Sequence, residues 1–188
     1  MRSGTRAFVG RLLRDGSGLS AIEFAMMMPI FFFLLTGLVD FGRLIMISQK
    51  LQSGTFILAD LAARDDEITE AQIVDIFLAL GNVVEPFDLS TRGRSYVTSV
   101  TGGPVGTDPQ INWQRAGAGT LAATSQIGVA GGVAAIPPDL PLAEDENLIV
   151  AEVFYDYEPI FGISFGADVL RRVAYYRPRL GSLESITP

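Results

Sequence analysis

The sequence contains no cysteine and no histidine. That excludes disulfides, thiol nucleophiles, zinc sites built from Cys and His, and imidazole proton shuttles. An exported domain of this composition must hold through its core alone. Charge is also scarce, at 19% of 188 residues, while hydrophobic residues make up 48%. The net charge of −7 is uneven. Four arginines against Asp15 give the segment before Leu19 a balance of +3, so the remainder carries −10. An acidic body lacks the basic face that nucleic acid requires, so no nucleic-acid partner is expected.

The apolar residues concentrate in "GLSAIEFAMMMPIFFFLLTGLVDFGR". Ten of the eighteen residues from Ile22 to Val39 are Ile, Phe, Leu or Val, and three more are Met. The ten together favour insertion into lipid by about 3–6 kcal/mol. A helix from Leu19 to Val39 is ~30 Å long, one hydrocarbon core. Glu23 falls near the interface, where an acid costs far less than at mid-membrane. These features predict a transmembrane helix. Pro29 inside it removes a backbone donor and predicts a kink, at which the helix can loosen on leaving lipid. The basic head predicts a cytoplasmic N-terminus and a periplasmic C-terminal domain. Beyond Val39, apolar residues at Phe41, Leu44, Ile45, Ile47, Leu51, Ile57, Leu58 and Leu61 recur near helical spacing. One helix is therefore expected from about Leu19 to Ala63, weakened at Gly42 and Gly54.

A secretory signal would place a small-residue cleavage site after a short apolar core. Here the core is long, and the processing pattern precedes it. In "GSGLSAIEF", Gly18 is followed by four residues and then by Glu23 and Phe24. This pattern, between an Arg-rich leader and an apolar helix, resembles the class III signal peptides of type IV pilins and pseudopilins. The resemblance implies cleavage between Gly18 and Leu19 by a prepilin peptidase, with the helix retained.

The wider stretch is similar to the N-terminal region of TadE/TadG-like proteins. It has the start "SAIEF" (Ser20 to Phe24), Pro29 in the apolar run, the turn "DFGR" (Asp40 to Arg43) and the ending "AAR" (Ala62 to Arg64). Near the C-terminus, "VAEVFYDYEPIFG" and "RRVAYYRPRL" resemble the family's closing strands, while Asp65 to Asn147 matches no named pattern. The resemblance implies a minor pseudopilin of the tight-adherence (Tad/Flp) pilus, a type IVc system. Its implied partners are a prepilin peptidase, an inner-membrane platform, other pilin or pseudopilin subunits and membrane lipid. Its implied location is the inner membrane, single-pass, with incorporation into the pilus as a further expectation.

Cleavage would give Leu19 a free α-amine, mostly cationic at neutral pH. Glu23 lies four residues on, about 6 Å along the axis. In a staggered bundle the carboxylate of one subunit can meet the amine of a neighbour. Such a pair attracts in low dielectric, where either charge alone is costly. Glu23, with Phe24 beside it, is thereby expected to set axial register. An ion pair within one chain, and a merely tolerated interfacial acid, are the competing readings.

The outer domain reads as α+β. "ITEAQIVDIFLAL" predicts a helix capped by Thr69 and Gln72, with Ile68 stapled to Ile73 and a stop at Gly81 and Asn82. Strands are expected at 94–100, 110–116, 147–157 and 170–179. In the third, Ile149, Ala151, Val153 and Tyr155 face one way, and Val150, Glu152, Phe154 and Asp156 the other. Glu152 or Asp156 is expected to pair with Arg171 or Arg172 across the ladder. Between Gly117 and Glu146 a short helical turn within 121–127 and a mobile, partner-contacting stretch are expected. The whole is a pilin-like lollipop: a long N-terminal helix packed on a small antiparallel sheet with a second helix. Its parts are a leader (1–18), a transmembrane and stem helix (19–64) and a periplasmic domain (65–188).

No catalytic constellation emerges. Ser53, Ser125 and Ser164 have no histidine to activate them. The acids at 65–67 and 144–146 lack the spacing of a calcium loop. No enzymatic activity, cofactor or metal is expected, and a membrane-tethered hydrolase has no visible active site. The functional alternative is an unprocessed bitopic envelope protein whose periplasmic domain binds a partner or ligand.

Overall fold

The structure is a computed structural model, and it describes residues 17–117, 119–163, 165–166 and 168–187. Most of the expected leader, residues 1–16, lies outside the described residues. Helix α1 (Ser17–Ala62) is unbroken through Pro29. Strand β1 (Ile68–Thr69), helix α2 (Glu70–Val84) and the single turn α3 (Leu89–Arg92) follow. Then come β2 (Gly93–Thr101), β3 (Gln110–Ala116), β4 (Asn147–Asp156), β5 (Val169–Tyr176) and β6 (Ile186–Thr187). Four strands form an antiparallel sheet in the order β3-β2-β4-β5, while β1 and β6 pair in parallel. The expected α+β arrangement of a long apolar helix, a second helix and a small antiparallel sheet is the observed one.

Both sheet faces are covered, which explains why β4 is buried along almost its whole length. On one face, Ile149, Ala151, Val153 and Tyr155 meet Ile47, Leu51, Leu58 and Ala59 of α1 and Ile73, Leu80 and Val84 of α2. On the other, Leu148 and Val150 meet Ile127 and Ala134, which come from the long segment between β3 and β4. The alternation read from the sequence of β4 is therefore the division between two cores.

The N-terminus of α2 forms as expected. Thr69 Oγ1 accepts from the Gln72 amide at 3.2 Å, and Gln72 Oε1 accepts from the Thr69 amide at 2.7 Å. Its C-terminus differs. The helix runs through Gly81 and Asn82 to Val84, because Leu80 and Val84, four residues apart, both bury against α1. Pro86 ends it, holding Glu85 in extended backbone. Gly54 is not merely a weak point in α1. A Cβ there would stand 2.7 Å from Leu80 Cδ1, so the missing side chain sets how closely the two helices approach.

No helical turn forms within 121–127, which is irregular chain fixed to the sheet. The amides of Thr120 and Leu121 donate to Ser90 and Gly93, and that of Ala135 to Ile127. Within 121–127, the amides of Leu121 and Gln126 donate to the Gly93 carbonyl and the Glu152 carboxylate, which holds the segment to the sheet. The C-terminal tail is fastened too. Leu183 is buried, and its carbonyl accepts from Ser99 Oγ at 2.6 Å and Trp113 Nε1 at 2.8 Å.

Candidate membrane and assembly site

Helix α1 meets two different environments. Nearly all of Ser20 to Val39 is solvent-exposed in the isolated chain, with Met26 at 73% and Phe32 at 67%. A core helix of a soluble protein buries its apolar stretch, but only 6% of this one is buried. A detachable signal would not continue into the fold, whereas α1 goes on to bury Ile47, Leu51, Leu58 and Ala62. The helix is thus long and apolar enough to cross a membrane, and its second half is part of the head's core.

The candidate residues from the sequence lie along the exposed half. The Gly18–Leu19 peptide bond falls at the start of the described part of α1. Glu23 is exposed, and no ion pair reaches it among the described residues. Phe24 is exposed, one residue on. Pro29 leaves the Ala25 carbonyl without its usual helical donor, and the helix continues past it. Of these, Glu23, Phe24 and Pro29 are all exposed in the isolated chain.

The change of environment occurs at Asp40, which is fully buried. No cation pairs with it among the described residues. Backbone amides do so instead. Oδ1 accepts from Ile160 at 2.8 Å, and Oδ2 from Phe161 at 3.1 Å and Ile163 at 3.2 Å. The Tyr157 hydroxyl donates to the Asp40 carbonyl at 2.8 Å. Burial pushes the Tyr157 phenol above its ordinary range, and the neighbouring Asp40 pushes the same way. One turn on, the Arg43 guanidinium lies 5.6 Å from the centre of the Phe87 ring. Asp40 therefore ties the stem helix to the loop between β4 and β5. The sequence singled it out only through the DFGR resemblance. Its signal was its place, the first charge after the apolar run.

A second buried acid serves the head. Glu152 is fully buried, and its Oε1 accepts from Arg171 Nη2 at 2.7 Å and from the Gln126 amide at 3.1 Å. Ser125 Oγ donates to its other oxygen. Glu152 and Arg171 are the pair expected across the ladder. Asp156 instead pairs with Arg92, at 3.2 Å. Because Glu152 is buried, the pair is more than a surface contact: removing one partner strands a charge at a cost of about 3–5 kcal/mol. No group of three or more acids is placed to hold a metal among the described residues.

Residues 18–60 match the family model described as TadE-like protein. No curated protein and no solved structure matches the chain. The match covers the exposed apolar half of α1, Asp40 and most of the buried half, and it stops short of the sheet.

Proposed function

We propose that this chain is a minor pseudopilin of a Tad/Flp (type IVc) pilus. A prepilin peptidase removes residues 1–18, and the retained helix takes part in fibre assembly. The observation that carries this reading is the position of the TadE-like match, which spans an exposed apolar helix rooted in a folded head. In the proposed topology, residues 19–64 form the anchor and stem in the inner membrane. Residues 65–188 form the head in the periplasm, and the basic leader faces the cytoplasm.

Cleavage makes Leu19 a cationic N-terminus, and Glu23 of a neighbouring subunit neutralises it. Phe24 packs beside that pair, and Pro29 is where the helix yields as it moves from lipid into a fibre. The pilus platform and other pilin or pseudopilin subunits are the partners. The chain is the substrate of the processing reaction and supplies no catalytic group to it.

Co-expression with a prepilin peptidase, followed by N-terminal sequencing, tests the proposal. It predicts a chain beginning at Leu19, and no cleavage of a Gly18→Val variant. An uncut wild-type chain beside an active peptidase would favour the unprocessed bitopic protein. Full-rate cutting of Gly18→Val would refute the assigned site.

A further inference from the structure

We propose that the loop between β4 and β5 is a second membrane contact. Ile160, Phe161, Ile163 and Phe165 rest in the headgroup–acyl boundary beside α1, and Asp40 satisfies the backbone there. The proposal rests on the reading of α1 as a membrane span.

Position is the first argument. A Cβ at Gly37 would lie 3.7 Å from both Ile163 Cδ1 and Phe165 Cζ. Gly37 is three residues before Asp40, about 4.5 Å back along the axis toward the apolar run. Ile163 and Phe165 share a groove there with Phe33, Leu34, Leu38 and Phe41. The Phe41 and Phe165 rings meet edge to face at 5.4 Å. A bilayer that covers α1 as far as Val39 therefore reaches the loop as well.

Composition is the second. Between Glu158 and Asp168 the sequence has no charged residue. Yet Ile160 is 58% exposed, Phe161 51% and Phe165 46%. Charge returns on the head side, with Arg43 on α1 and the Arg92–Glu158 pair at 2.7 Å. Apolar side chains below and charges above are the polarity profile of an interfacial element, immersed by ~5–10 Å.

Backbone chemistry is the third. Irregular chain facing lipid must not leave amides unpaired. The three amides that Asp40 accepts are those of the loop itself. The occupant of this apolar surface is lipid, because the surface continues that of the span and lies at the same depth.

The natural absence of cysteine allows a clean test. The full chain is reconstituted in phosphatidylethanolamine–phosphatidylglycerol vesicles as single-cysteine variants Phe161→Cys, Ile160→Cys, Met28→Cys and Val105→Cys. Each carries an environment-sensitive fluorophore. Quenching by lipids spin-labelled near the headgroup or deep in the acyl chain is measured, and the emission of Trp113 reports that each head is folded. The proposal predicts that labels at 160 and 161 lose most of their emission to the shallow quencher, that 28 loses it to the deep one, and that 105 is unaffected. Labels at 160 and 161 that behave like 105, while 28 is quenched, would overturn the proposal and leave the span standing. Labels at 160 and 161 that are unquenched, together with a disulfide between copies of the unlabelled Phe161→Cys chain under oxidant, would overturn it in favour of a second chain as occupant. An unquenched label at 28 would remove the span, and the proposal with it.

Discussion

Asp40 is a carboxylate whose surroundings supply peptide amides where a salt bridge would supply a cation. Asp40→Ala leaves those amides in a largely apolar corner, so it should lower head stability by about 2–3 kcal/mol. Asp40→Asn, which keeps one acceptor oxygen, should cost less. Denaturant melts followed by Trp113 emission check both, and equal stability of all three proteins would refute the role. Asp88 illustrates an exposed acid with a different job. Hydrogen bonds from Ser90 and Thr91 hold its carboxyl at about 2, below the ordinary 3.8. A lowered carboxyl adds stability that is present above its ordinary value and lost as pH falls through the folded one. Between 3.8 and about 2, wild type should therefore lose stability more steeply than Asp88→Asn. Parallel melts across that window measure the difference, and identical slopes would count against it. At this scale the sequence revealed the Thr69–Gln72 cap and the Glu152–Arg171 pair, because both depend on residue type and spacing. It could not reveal that Asp40 accepts from residues 120 or more positions away. Such a contact depends on the fold bringing two distant segments together.

The elements were legible wherever one periodicity governed them. The apolar run and the alternation of β4 each state a face to be buried. Misreadings arose where local and tertiary preferences disagree. Gly81 and Asn82 favour stopping α2, but burial of Leu80 and Val84 carries it one turn further. Leu121 to Ile127 is helix-permissive, yet Glu152 draws Ser125 and Gln126 onto the sheet. Gly54 is a poor helix residue whose value lies in the space it leaves for Leu80. Gly54→Val should overfill that space and cost about 1–3 kcal/mol. Thermal unfolding of the purified chain checks this, and an unchanged or raised midpoint would show that the two helices can separate without penalty.

At the scale of the whole molecule, one helix has two kinds of surface. From Ile22 to Val39 it is apolar and almost wholly exposed, and beyond Asp40 it completes a protein core. The head folds around the second half, so the stem cannot be shed without dismantling the domain. That coupling suits a subunit that loses a leader and keeps its helix. It also separates Glu23 from the stability of the head, since the fold places nothing against that residue. Glu23→Ala should accordingly insert and fold normally yet support fewer fibres, as counted by electron microscopy of cells expressing it. Unchanged fibre number would contradict the register role.

The division of α1 at Asp40 is tested most directly by a single-cysteine scan of the helix in sealed proteoliposomes, using a membrane-impermeant maleimide. Positions from Phe24 to Val39 should resist labelling. The exposed stem positions Gln49 and Ser53 should react wherever the head faces outward. Rapid labelling at Met28 or Phe33 in intact vesicles would contradict the account.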